Sequence, residues 1–190
     1  ITMEGNVTYD TTDGGFHQHY GKDNVIRNNV FAFSEEYQVK RSRPEEHLSF
    51  TFEKNIIVFD RGQLLGSIWT GTTANFLNKN NLFWDYSARP VTFTDQKLSL
   101  ADWQKRGQDL GSTIADPLFV DPAKRDFRLL PGSPALAMGI KSIDVTAMGV
   151  LRDDPTWRKL ADTFERGAPA VRPPRPEAPA LNLRQAFEGR

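Results

Sequence analysis

The chain has 190 residues, and Lys+Arg and Asp+Glu both number 24, so its formal net charge is zero. A neutral chain lacks the excess of cations that a sequence-independent nucleic-acid binder needs along phosphates; no apolar run is long enough to span a bilayer; and zero Cys excludes disulfides, thiol catalysis and Cys-ligated zinc. Hydrophobic residues at 38% suffice for one core, and 14 Gly with 12 Pro imply many turns.

The chain opens with Ile1 inside an extended run, as expected of a fragment that lacks upstream coils. From Asn6 a pattern repeats. Asn6-Val7-Thr8-Tyr9-Asp10 returns as Asn29-Val30-Phe31-Ala32-Phe33, then as Asn55-Ile56-Ile57-Val58-Phe59-Asp60, then as Asn81-Leu82-Phe83-Trp84-Asp85, at intervals of 23, 26 and 26 residues. An Asn before a short β-branched and aromatic run, at this period, marks a solenoid with one coil per repeat.

Within the first coil, Val7–Tyr9 is a predicted strand and Asp10–Gly15 a turn rich in Asp and Gly. Phe16–Tyr20 is a second strand, Gly21–Asn24 a second turn and Val25–Asn28 a third strand. Three strands and three turns per coil define an all-β, parallel β-helix in which equivalent residues stack between coils. Asn29, Asn55 and Asn81 then form a ladder at one corner, where Asn tolerates the left-handed conformation and passes amide hydrogen bonds onward.

The second coil carries a long excursion, Ser34–His47. The strand equivalent to Phe16–Tyr20 is expected at Tyr37–Lys40, then Leu64–Trp69, then Pro90–Phe93. Ser99-Leu100-Ala101-Asp102 opens a short helix with a Ser N-cap and an acid three residues on, and Gly107 stops it. That helix is suited to covering the open strand edges. Asp116–Pro122, Asp126–Leu129 and Pro131–Ala135 read as short extended segments packing on the end of the stack. The expected organisation is coils over 1–98, a cap and extended segments over 99–167, a Pro-rich linker over 168–180, and the possible start of a further domain at 181–190.

All three His lie near charged residues. His17 and His19 are two apart on one strand and share a face. With Phe16 and Tyr20 assigned to the core, both imidazoles point outward. Asp10, Asp13 and Asp23 lie beside them, with Lys40, Arg41 and Arg43 one coil away. Asp13, in the turn before the His strand, is a candidate carboxylate or a turn residue bonding its own backbone. Glu46 precedes a strand and is the second candidate carboxylate. Lys40, Arg41 and Arg43 suit recognition of carboxylates or hydroxyls. His47 suits either a carboxylate partner or coil packing. Trp69 is the expected sugar platform; Trp84, Trp103 and Trp157 are assigned to packing. A metal site from His17, His19, His47 and a carboxylate is chemically allowed, but His-x-His on a strand is common without metal, so none is assigned.

Asp13–Asn29, Arg41–Phe50 and Ala115–Pro122, with Pro131–Ala135 after them, resemble right-handed parallel β-helix proteins of the pectin-lyase-like superfamily. Among these the similarity is greatest to bacterial secreted proteins related to glycoside hydrolase family 141, and it covers about residues 1–150. No catalytic motif of that family matches residue by residue. The resemblance implies a polysaccharide partner, a secreted or periplasmic location, a groove on the outer face of the coils, a larger parent chain and no cofactor. The first expectation is a glycoside hydrolase with Asp13 and Glu46 as acid and base, aided by His17 and His19, and with Lys40, Arg41, Arg43, His47 and Trp69 binding substrate. The alternatives are a lyase acting on a uronate polymer, in which Lys40 and Arg43 matter most, and a non-catalytic sugar-binding or structural solenoid.

Overall fold

The computed structural model describes residues 1–145, together with 148, 155, 156, 159 and 163. Trp157, the linker at 168–180 and the segment 181–190 lie outside the described residues. One unit contains Ile1–Ile143 and holds every element named below; the other, Asp144–Arg175, lies almost wholly outside the described residues.

The fold is an all-β parallel solenoid of about three turns. Its strands are β1 (Thr2–Glu4), β2 (Val7–Tyr9), β3 (Gly14–Gln18), β4 (Asn24–Arg27), β5 (Val30–Ala32), β6 (Tyr37–Arg41), β7 (Phe50–Glu53), β8 (Ile56–Phe59), β9 (Gln63–Ser67), β10 (Phe76–Lys79), β11 (Leu82–Asp85) and β12 (Thr113–Ile114). They stack into three parallel sheets: a first of β1-β4-β7-β10, a second of β2-β5-β8-β11-β12, and a third of β3-β6-β9. The repeat is the register of the second sheet, where Val7, Val30, Ile56 and Leu82 align.

The ladder forms as the repeat predicts. The Asn29 N–H and Nδ2 both donate to Asn55 Oδ1 at 3.0 Å, and the Asn55 N–H and Nδ2 donate to Asn81 Oδ1 at 2.9 and 3.3 Å. The left-handed residue is not the ladder Asn but the one before it: Gly5, Asn28, Lys54 and Asn80 have φ of 71, 52, 52 and 53°. The corner is turned one position early, which leaves the ladder Asn free to bond between coils.

Inside the coils lies a column of aromatic and aliphatic side chains. Phe16, Phe31, Phe50, Phe52, Phe76, Phe83 and Phe93 pack with Trp69 and Trp103. The short helix forms as α1 (Leu100–Gln104), its Ser99 Oγ accepting from the Asp102 N–H at 3.1 Å. Trp103 closes the open end, stacked on Phe76 and Phe93 at centroid distances of 6.3 and 5.9 Å. Asp109 finishes the ladder. It is buried and accepts from Asn81 Nδ2, Ser112 Oγ and Trp103 Nε1. Burial pushes its carboxyl above the usual range, and those hydrogen bonds oppose the shift.

Several expectations change. Pro90–Phe93 forms no strand; Phe93 makes a single antiparallel bridge to Leu98, so the third sheet stops at β9. The segments after Pro117 do not sit on the end of the stack. They form an antiparallel hairpin, β13 (Phe119–Asp121) and β14 (Asp126–Leu129), and a short helix, α2 (Pro134–Ala137). These run back along the outer face of the second sheet. Phe119, Phe127, Ala135, Ile140 and Ile143 bury Val30, Ala32, Ile56, Val58 and Leu82, and the half-buried Trp84 packs there too. Arg125 reaches the first coil with a two-pronged ion pair to Asp10 at 2.7 and 3.0 Å. The second sheet is thus covered on both faces, which is why its strands read as unbroken apolar runs.

Candidate functional site

The three outer faces differ in what they can do. The second is covered by the returning segment. The first carries a register column of alternating charge, Glu4, Arg27, Glu53 and Lys79, with ion pairs at 2.9 and 3.1 Å between the members of each half. That column is self-neutralised and solvated, worth little beyond solubility. The third face is open and carries the imidazoles.

On β3, Phe16 turns to the core and His17 is exposed, as alternation requires. The register places Lys40 beside His17 and Gly66 beside Lys40. His17 Nε2 lies 2.6 Å from Ser42 Oγ, and His19 Nδ1 lies 3.0 Å from the same oxygen. One hydroxyl therefore bridges both rings. The Ser42 N–H donates to the Gln18 carbonyl at 3.1 Å, which fixes the bridge to the end of β3. Ser42 is absent from the sequence-based site. Its interval of 23 residues from His19 is one coil period, and that was the available signal.

On one side of the imidazoles, Lys40 Nζ donates to Asp13 Oδ2 at 2.6 Å. This hydrogen bond holds the Lys40 ammonium protonated above its usual range. The Tyr37 ring centroid lies 5.7 Å from the ammonium. The Tyr37 ring in turn lies on Gly66, where a Cβ would come within 2.3 Å of it. On the other side, the Arg43 guanidinium stacks on Tyr20 at 4.5 Å, and its Nε lies 3.1 Å from Glu45 Oε1. At the adjoining corner His47 Nε2 donates to the Gly21 carbonyl at 3.1 Å, so His47 is a packing residue that fixes the turn.

Four predicted roles are corrected. Tyr20 is 63% exposed, not core: β3 ends at Gln18, so strand alternation no longer governs it. Trp69 is 7% exposed, edge-on to Phe50, Phe76 and Trp103, with Nε1 donating to the Gly66 carbonyl; it is core and offers no face to a sugar. Arg41 is fully buried, 4.8 Å over the Phe76 ring, with Nη1 donating to the Ile68 and Thr70 carbonyls. Burial lowers its pKa, and nearby Glu45 opposes the shift. It braces the corner under the site. Finally, Asp13 and Glu46 are not brought together. Asp13 precedes β3, whereas Glu46 is exposed beyond the opposite end, next to the His47–Gly21 corner. Five strand residues separate the two ends, a span of about 16 Å. The carboxyls of glycoside hydrolases stand about 5–10 Å apart across the scissile bond.

What remains on one open face is two imidazoles, a hydroxyl, an ammonium, a guanidinium and two tyrosines. That set can bind anionic sugars and move protons. Among the described residues, no three His, Asp or Glu side chains converge as a metal site, and no helix is long and apolar enough to cross a membrane. Comparison with known protein families, curated proteins and solved structures found no match for this chain.

Proposed function

We propose that this solenoid is a carbohydrate-active protein of the pectin-lyase-like kind, related to glycoside hydrolase family 141. In this reading it is secreted or periplasmic, part of a larger parent chain, and acts on a uronate-containing polysaccharide through the outer face of the third sheet. The reaction the geometry supports best is β-elimination rather than hydrolysis, because Asp13 and Glu46 stand too far apart to flank one bond.

The observation that carries this reading is the shared Ser42 hydroxyl between two exposed imidazoles. A hydroxyl has one proton, so it donates to one ring and accepts an N–H from the other. With the shorter contact taken as Ser42 donating to His17 Nε2, His19 carries its proton on Nδ1. The Nε2 of His19 then presents a free lone pair to solvent, the requirement for a general base. That lone pair removes the proton next to the uronate carboxylate. Lys40 and Arg43, on either side, neutralise the carboxylate and so stabilise the carbanion-like transition state. Tyr20, whose ring lies under the Arg43 guanidinium, is the acid that would protonate the leaving oxygen.

The test is turnover on a panel of polysaccharides, following reducing ends and near-ultraviolet absorbance together. Elimination raises both, because its product is unsaturated. Reducing ends without absorbance would make the protein a hydrolase. Binding without either signal would make it a sugar-binding solenoid.

A further inference from the structure

We infer that Ser42 is a nucleophile and that this face also cleaves carboxylic esters carried by sugar hydroxyls. The inference goes beyond elimination, since it uses Ser42 and His17 whereas elimination uses His19 Nε2. Three features support it. Ser42 Oγ lies 2.6 Å from His17 Nε2, within the reach at which an imidazole takes a hydroxyl proton. The second ring, His19, approaches the same oxygen at 3.0 Å, and with Ser42 donating to His17 it must approach as an N–H donor. The backbone holds Ser42 in place through its N–H to Gln18, at the end of β6 where β3 is its partner. The site is on an open face, so a polymeric alcohol can lie along it while a small acyl group reaches Ser42.

The step balances as follows. Ser42 Oγ attacks the ester carbonyl carbon, its proton passes to His17 Nε2, and the carbonyl π pair moves onto oxygen; the His19 Nδ1–H, released from Ser42 Oγ as that oxygen bonds to carbon, turns to donate to it. Collapse breaks the bond to the sugar oxygen, which leaves with the proton from His17. Water, deprotonated by His17, then attacks the acyl-serine, and Ser42 leaves with that proton as the carboxylic acid departs.

The experiment treats the folded chain with a fluorophosphonate probe and maps the labelled peptide. In parallel, acid release from an acetylated polysaccharide and from p-nitrophenyl acetate is measured for the native chain, Ser42→Ala and His17→Ala. A phosphonyl adduct on Ser42 is expected, with ester cleavage abolished in Ser42→Ala and reduced by about 100-fold or more in His17→Ala. Probe labelling needs no variant, so a misfolded mutant cannot decide the outcome. Absence of the adduct on Ser42, or ester cleavage that survives Ser42→Ala, would overturn the inference. Near-ultraviolet absorbance does not report ester cleavage, so the elimination reading stands or falls separately.

Discussion

Asn55 sits at the centre of the ladder, and its replacement by Ala should be costly. In the native coil its Oδ1 accepts from the Asn29 N–H and Nδ2, and its Nδ2 donates to the Ile26 carbonyl and Asn81 Oδ1. Some partners survive the change. Asn29 Nδ2 keeps the Met3 and Arg27 carbonyls, and Asn81 Oδ1 keeps the Asn55 N–H. The buried Asn29 N–H and the Ile26 carbonyl lose a partner. At about 1–3 kcal/mol for each stranded buried group, the expected loss is about 2–6 kcal/mol. For a chain of this size that lowers the melting temperature by roughly 4–24 °C. Asn6→Ala is the control. Asn6 is exposed and its Nδ2 only donates, to Asn29 Oδ1 and the Glu4 carbonyl, so its loss should cost about 1 kcal/mol or less. Thermal and urea melts by circular dichroism give both numbers. Equal losses at the two positions would refute the reasoning, since the ladder would then contribute nothing through its buried members.

Asp109→Asn should flatten part of the pH profile of stability. The folded pKa of Asp109 is raised above its unfolded value near 3.9, so the folded state binds the proton more tightly. Stability therefore falls as the pH rises from about 4 through the folded pKa, and is level above it; urea midpoints across that window should slope downward in the native chain and not in the variant. Arg41→Ala should cost about 2–5 kcal/mol, because it empties the buried space over Phe76 and removes the donor to the Ile68 and Thr70 carbonyls. Arg43→Ala, at the exposed partner, should leave the melting temperature nearly unchanged and weaken binding of a uronate oligomer by isothermal titration. Gly66→Ala places a methyl within 2.3 Å of the Tyr37 ring and should cost about 1–3 kcal/mol. Adding Tyr37→Ala should remove most of that penalty, and additive losses would argue against the clash.

The parts of the fold legible in the sequence are those encoded by a local period. Asn at 6, 29, 55 and 81 fixed the coil length, and coil length with strand alternation placed His17 outward and Phe16 inward. The misplaced residues lie where that period stops. Tyr20 follows the end of β3, and Trp69 follows Ser67, whose φ of 68° turns the chain so that the indole enters the core. Arg41 keeps the inward parity of β6, which alternation from Val39 would have given; its charge drew the assignment outward instead. The return of Phe119–Ile143 along the second sheet has no periodic signal, because its apolar residues sit in short pieces broken by Pro, and its anchor, Asp10–Arg125, spans 115 residues of sequence. A partial hint was present in the second-sheet strands, apolar at every position where a solvated outer face would need polar residues. Ser42 escaped because its importance is relational: it is a serine one coil from two histidines.

The account is tested most directly by the products formed in ¹⁸O-labelled water from a uronate polymer, compared between the native chain and His19→Ala. Elimination predicts unsaturated oligomers with no solvent oxygen at the new reducing end, formed by the native chain and lost in a His19→Ala variant that still folds. Incorporation of ¹⁸O, or unsaturated product that persists in the variant, would contradict the claim that this face of the solenoid performs elimination with His19 as base.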